Sequence, residues 1–308
     1  MERDESPQVS VVIPCHHEPF VGEIARLLLE RARAEGVVID VVIVGAGDFS
    51  DLPAHPGVRL LRTEHPRWPG PKRNRGLSMS RAPYVLFLDG DCLPGPGFFA
   101  SLLATQRDGP AIAGGAVDSP WGDFWSTAYN LICLREYLSG LPASFRRTLP
   151  SFCLFGPREA FSAVGGFDES WTVGEDLDLT ARLGATGSIL RFEPAIRVLH
   201  RPAGRSFTRI LRNGWAHGGT SMRARAQYPE AFGAPRISRN PVALALGAPL
   251  VAVYYAFRTW LQHPDYRGLF PAALPAMLVF RLAWCYGAAW NRLRPAQVFH
   301  PVANRGAS

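Results

Sequence analysis

Two acidic clusters carry the strongest chemical signal in the chain. Asp89-Gly90-Asp91 directly follows the apolar run Tyr84-Val85-Leu86-Phe87-Leu88. Two carboxylates one residue apart, with Gly between them at a strand end, can face one divalent cation. Hard cations such as Mg²⁺ or Mn²⁺ take oxygen ligands and share them with substrate phosphates. A turn with two solvated aspartates gives the same three letters, and it is the place after an apolar strand that favours the cation. Glu175-Asp176 stands in G-G-F-D-E-S-W-T-V-G-E-D-L-D-L, where Gly165, Gly166 and Gly174 permit tight turns. Asp176 there is either a helix cap or a general base at a cleft edge. His200 closes the short run Arg197 to His200. A lone histidine is more often structural, but a cation at Asp91 would make its neutral imidazole a ligand.

Weaker candidates surround these. Arg73-Asn74 precede Gly76 and read as a solvated helix end or as a contact for a pyrophosphate or nucleotide. Pro14 and Glu18 flank the end of the first strand, as a turn and helix start or as a platform for a nucleotide base. Trp121, Phe124, Trp125, Trp171 and Trp215 are core anchors or sugar-stacking rings. Arg205, Arg209 and Arg212 fall at helical spacing, as a solvated face or a stripe for anionic lipid or a pyrophosphate-bearing acceptor.

The elements that must position these residues follow from periodicity. Strands are expected at Val9 to Ile13, Val37 to Val44, Val58 to Leu61 and Tyr84 to Leu88, with helices at Glu18 to Glu35 and Lys72 to Arg81. That β-α-β order predicts an α/β fold with a parallel sheet, whose ligands bind beyond the carboxyl ends of the strands. Further helices are expected at Phe98 to Gln106, Trp121 to Leu138, Arg158 to Val164 and Asp176 to Leu183. Strands are expected at Ala111 to Val117, Phe152 to Phe155, Ser188 to Phe192 and Arg197 to His200, in mixed order.

Composition bounds the rest. The chain has 308 residues, 47% hydrophobic and 19% charged, enough to bury a sizeable core and unlike a disordered segment. Residues 201–308 hold fourteen arginines against Glu230 and Asp265. This C-terminal part is therefore +12, within a total of +7. Lys72 is the only lysine. Five widely spaced cysteines without a C-x-x-C pair predict reduced thiols rather than a disulfide scaffold or structural zinc. The polar N-terminus has no signal-peptide pattern, which predicts a cytoplasmic first domain.

From Pro241 the composition turns apolar. Residues 241–257 carry no charge, and Gly268 to Trp290 contains only Arg281. A span takes about 20 apolar residues. An arginine at mid-helix costs on the order of 2.5–3.5 kcal/mol on insertion scales. A bilayer hairpin, two interfacial helices and helices packed on the first domain all stay open. Arginines set between long apolar runs suit a bilayer surface rather than a phosphate groove, so no nucleic-acid partner is expected.

The ordered series V-S-V-V-I-P-C-H-H-E, R-N-R-G-L, Y-V-L-F-L-D-G-D, G-G-F-D-E…G-E-D-L-D-L and H-R resembles the family-two glycosyltransferases of GT-A fold. The resemblance covers about residues 8 to 220. It implies a mixed, mainly parallel sheet with flanking helices, here as a catalytic domain over 1–220. Residues 221–308 would be a basic, apolar helical extension. It also implies inverting transfer of a sugar from a nucleotide-sugar donor to an acceptor hydroxyl. By the same resemblance, Asp91, with Asp89 and in some relatives His200, would hold Mg²⁺ or Mn²⁺. Asp89 would contact the ribose or assist the metal. Pro14, Glu18, Arg73 and Asn74 would line the nucleotide-sugar site. Asp176 would be the base and Glu175 would orient it or the acceptor. The apolar C-terminal part is similar to that of members building cell-envelope or exported polysaccharide. This implies a glycan or lipid-linked acceptor at the cytoplasmic face of the cell membrane, met peripherally or integrally through 241–290.

One departure stands out. Relatives carry acids in a D-D-G-S-type turn after the second strand, where this chain has Val44-Gly45-Ala46-Gly47-Asp48. Asp48 or Asp51 would have to substitute, and the nucleotide (UDP, GDP or dTDP) is left open. The same turn motivates the alternative of a catalytically degenerate relative that binds nucleotide or glycan and scaffolds a membrane complex. A nucleotidyltransferase is disfavoured, because Cys15-His16-His17-Glu18 stands where a glycine-rich phosphate loop belongs.

Overall fold

The computed structural model describes residues 6–63, 68–107, 109–119, 124–201, 206–232 and 240–293. The elements are β1 (Val9–His16), α1 (Val21–Ala34), β2 (Ile39–Ala46), β3 (Val58–Arg62), α2 (Pro69–Met79), β4 (Tyr84–Leu88), β5 (Cys92–Pro94) and α3 (Phe98–Ala104). Then come β6 (Ala111–Asp118), α4 (Phe124–Cys133), β7 (Ser144–Phe145), β8 (Cys153–Pro157), α5 (Arg158–Ala163), α6 (Glu175–Ala185) and β9 (Ile189–His200). The C-terminal helices are α7 (Phe207–Gln227), α8 (Pro229–Phe232), α9 (Pro241–Leu246), α10 (Ala248–Gln262) and α11 (Phe270–Leu293).

The chain forms two compact units. The first comprises residues 1–120, 136–171 and 175–203, and the second 121–135, 172–174 and 204–308. Position 220, where the sequence suggested a boundary, lies inside α7.

The first unit is built on one mixed sheet in the order β3-β2-β1-β4-β8-β6-β9-β5, with β7 beside β9. β3, β2, β1 and β4 run parallel, as do β6 and β9, while β8, β5 and β7 pair antiparallel. The central strands are buried on both faces, which is why they read as unbroken β-branched runs. Phe87, Phe161, Phe167, Phe192 and Leu179 fill one side of the sheet.

Two expected strands, Ser188 to Phe192 and Arg197 to His200, are one. β9 continues through Glu193-Pro194-Ala195, and its register against β6 shifts between Gly114 and Ala116. A bulge accommodates Pro194, which has no N–H to offer the ladder. β5 and β7 were not foreseen. β5 is three residues long and exists because β9 pairs with it, Cys92 opposite His200. β1 runs three residues past Ile13, to His16. Its pairing with β4 stops at Val12, so Pro14 costs no hydrogen bond there.

The second unit is helical. α11 is its axis, with α7, α9, α10 and α4 against it. Met222, Leu244, Ala248, Cys285, Ala288 and Ala289 form its core. α11 is the one described helix long and apolar enough to cross a membrane, and half of its most apolar stretch is buried in the protein.

Candidate active site

The site is assembled at the carboxyl ends of β1 and β4, at the start of α6 and at the end of β9. Arg73 on α2 is its centre. One guanidinium nitrogen donates to Glu175 Oε1 at 2.7 Å and another to Asp89 Oδ1 at 2.6 Å. Arg73 is 2% exposed and lies 5.4 Å over the Phe167 ring. Through it the D-x-D turn and the start of α6, far apart in the chain, belong to one constellation. A bidentate arginine suits two carboxylates in a dry place.

Asp89 and Asp91 play different parts. Asp89 is held by Arg73, its side chain about a third exposed. Asp91 faces His200, with Oδ1 3.4 Å from Nε2. Asp91, Cys92 and His200 bring one potential ligand atom each to within 4.8 Å of one another, and Asp89 stands outside that group. The β5–β9 pairing explains the meeting, since His200 lies opposite Cys92, next to Asp91. Burial, then Asp91 and Asp89, push the Cys92 thiol up, so it stays protonated.

Glu18 lies over Gly90, which has no Cβ to obstruct it. Its carboxylate accepts from the His16 N–H, and burial raises its pKa. Lys72 donates to the Cys15 carbonyl at 2.6 Å and is 6% exposed. Burial lowers its pKa, and Glu18 opposes that shift. Pro14 is buried within β1 beside this group.

Glu175 opens α6 and is 5% exposed. Burial first, then the neighbouring Asp176 carboxylate, raise its pKa to about 7. Asp176 accepts from the Ser151 N–H at 3.2 Å and the Leu177 N–H at 2.8 Å. It sits within the first turn of α6 and not ahead of it. Asp178 pairs with Arg182 at 2.6 Å, away from this group. Asn74 is occupied differently from the rest. Its amide donates to the Phe167 carbonyl and accepts from the Phe167 N–H, both at 2.8 Å, and so pins the glycine turn before α6.

Five carboxylates (Glu18, Asp89, Asp91, Glu175, Asp176) thus stand near two cations, Lys72 and Arg73. Burial raises the pKa of Asp89, and Asp91 adds to the rise. A carboxylate excess beside an imidazole suits a hard or borderline divalent ion. Asp91 and His200 have the donor chemistry to hold it.

β2 runs on to Ala46, and its end is closed to an acid at Gly45. A Cβ on Gly45 would run into the Cys15 carbonyl. Asp48 accepts from the Ser50 N–H of its own loop, and Asp51 packs on Gly22 and accepts Arg26 through its carbonyl. His17 adopts φ 60° as β1 leaves the sheet.

Trp171 is fully buried, an anchor of the core. Trp215 packs near Trp290 in the helical unit, and Phe124 and Trp125 are more than a third exposed. Arg209 and Arg212 are exposed, while Trp121 and Arg205 lie outside the described residues. Sequence reasoning missed Cys92 and Ser151 as parts of the site and noted Lys72 only as the sole lysine. The signals for two of them were adjacency: Cys92 follows Asp91, and Lys72 precedes Arg73.

The sheet order and an acid-rich mouth at the strand ends define a protein of GT-A fold. The family described as Glycosyl transferase family 2 matches residues 10–162, and the chain belongs to it. Pre-mycofactocin glycosyltransferase of Mycobacterium tuberculosis is 31% identical over 203 residues, 62% of this chain and 42% of the relative. N-acetylglucosaminyl-diphospho-decaprenol L-rhamnosyltransferase of the same organism is 35% identical over 109 residues, 33% of this chain and 34% of the relative. The chain thus spans less than half the length of these two. Succinoglycan biosynthesis protein ExoA of Rhizobium meliloti is 29% identical over 95% of this chain and 98% of its own length.

Two solved structures share the fold. Mannosyltransferase PcManGT from Pyrobaculum calidifontis, in complex with GDP-Man and Mn²⁺, gives a TM-score of 0.55 at 18% identity, over 96% of this chain and 89% of that one. GalNAc-T7 with UDP, GalNAc and Mn²⁺ gives 0.51 at 16%, over 72% and 52%.

Proposed function

We propose that the chain transfers a sugar from a nucleotide-diphosphate-sugar donor to an acceptor hydroxyl, with inversion at the anomeric carbon. The observation that carries this reading is the Arg73 bridge, which ties the Asp89 turn to the Glu175-Asp176 helix start. Inversion needs a base on the acceptor side and a stabiliser of the departing diphosphate on the other. Asp176 is the base, its carboxylate aimed by the Ser151 and Leu177 N–H groups. Glu175, held by Arg73, fixes the start of α6. Asp91 and His200 would hold Mg²⁺ or Mn²⁺, which supplies charge neutralisation to the leaving diphosphate. Glu18, Pro14 and Lys72 border the donor side, and Asn74 supports it from behind.

The names of the relatives support an envelope role, one of them carrying a diphospho-decaprenol acceptor and another making succinoglycan. The acceptor is therefore a lipid-linked or growing glycan, met at the cytoplasmic face of the membrane. Catalysis is assigned to the sheet-bearing part, within residues 1–220, and membrane contact to the extension beyond it.

The test is donor turnover with and without EDTA, and NMR of the product's anomeric centre. Turnover that needs Mn²⁺ or Mg²⁺ and inverts the linkage supports the reading. Retention, or full activity in EDTA, contradicts it. The closed Gly45 position favours a second reading, a binding-only relative. Calorimetry showing no affinity for any nucleoside diphosphate with Mn²⁺ present would select it.

A further inference from the structure

The helical unit presents a surface that the proposed chemistry does not use. α9 and α10 turn Val242, Leu246, Leu250, Tyr254, Phe257 and Leu261 outward, 51–79% exposed. Steps of three and four keep them on one side, while Leu244, Ala248, Ala252 and Ala256 are buried on the other. Soluble monomers rarely leave so long an apolar stripe in water.

The span-length helix is not free to be the anchor. Arg281, at the middle of α11, lies 3.9 Å over the Tyr255 ring and 5.2 Å over Trp284, inside the helical unit. α7 packs along α11 at backbone contact. A Cβ on Gly214 would meet the Phe280 carbonyl, one on Gly218 the Trp284 carbonyl, and one on Gly287 the Trp215 carbonyl. α7 carries Arg209, Arg212, Arg223 and Arg225. If α11 crossed a bilayer, it would draw α7 and those charges into the hydrocarbon, where each is unfavourable. α10, at fifteen residues, is about 22 Å long and too short for a core of about 30 Å.

Charge indicates what covers the stripe. Among residues 231–293 Asp265 is the only acid. Arg258 stands one turn beyond Tyr254, and Arg267 lies 4.7 Å over the Trp260 ring at the same end of α10. Apolar and aromatic side chains edged by arginine match the boundary of an anionic bilayer.

We infer that α9 and α10 lie in the plane of an anionic membrane surface with this stripe sunk among the acyl chains, and that α11 remains inside the protein as the core of its unit. The inference rests on the reading that the acceptor is met at a membrane, and it names the surface that meets it.

Vesicle flotation of the full chain tests it, using phosphatidylcholine vesicles with and without phosphatidylglycerol, followed by alkaline carbonate washing. The chain floats with the anionic vesicles and carbonate releases it. The double variant Leu250→Glu/Phe257→Glu floats at least tenfold less. Phe145→Glu, at a 77% exposed position in the sheet unit, floats like the parent. Carbonate-resistant binding, unchanged flotation of the double variant, or a stripe-dependent dimer that ignores vesicles overturns the inference. Metal-dependent donor hydrolysis is read on the same samples in solution. Its absence in the parent would sink the function while leaving the docking result standing.

Discussion

Arg73 is the residue on which the site depends most. It holds two carboxylates, of which Glu175 is almost wholly buried. Removing one partner of a buried pair leaves an uncompensated charge, at about 3–5 kcal/mol. Arg73→Met should lower unfolding stability in denaturant by that order, and Arg73→Lys should recover only part of it, because a point charge cannot fork between Asp89 and Glu175. Glu175 adds a pH signature. Its pKa is raised by burial and then by Asp176, to about 7 from an ordinary value near 4.5. The folded state then binds more proton than the unfolded chain between those values, so stability falls as pH rises from about 4.5 through 7. Relative to Glu175→Gln, which has no such group, the parent should lose stability across that window. Parallel pH–stability curves for the two proteins would contradict the assignment.

The strand ends and the helix contact make predictions of their own. At the end of β2, Gly45 is pressed on the Cys15 carbonyl. Gly45→Asp should destabilise by about 1–3 kcal/mol through overpacking, whereas Ala46→Asp, at a half-buried position, should melt close to the parent in a thermal scan. The helical unit is fixed at α7 and α11. Gly218→Val would force their backbones apart and should lower the melting temperature by several degrees.

This scale also shows what could be read from the chain beforehand. β1, β2 and β4 were legible because both faces are buried and the runs are unbroken. The Asp89 turn was legible because it sits where such a run stops, and Glu175-Asp176 because glycines precede a helical pattern there. β5 and β7 were not, since a two- or three-residue strand exists only through a distant partner, here β9. Nor was the unity of β9, because Glu193-Pro194-Ala195 breaks the apolar pattern while a bulge carries the strand through. The family resemblance, not spacing, put His200 with Asp91 at a cation, and the β5–β9 pairing is what adds Cys92 to them. The Arg73 bridge lay beyond periodicity altogether, because it joins residues 102 apart in sequence.

At the scale of the whole chain, the sheet unit carries an acid-rich mouth and the helical unit a basic, apolar surface. On the proposed reading the first would gather a cation, whose charge would in turn neutralise a diphosphate, and the second would meet lipid. The most direct measurement is single-turnover hydrolysis or transfer from a panel of nucleotide sugars with Mn²⁺, for the parent, Asp91→Ala and Asp176→Asn. The parent should turn over one donor class, with the rate falling at least a hundredfold in each variant while melting temperatures stay close. Full turnover in both variants, or an equal rate for the parent in EDTA, would contradict the account.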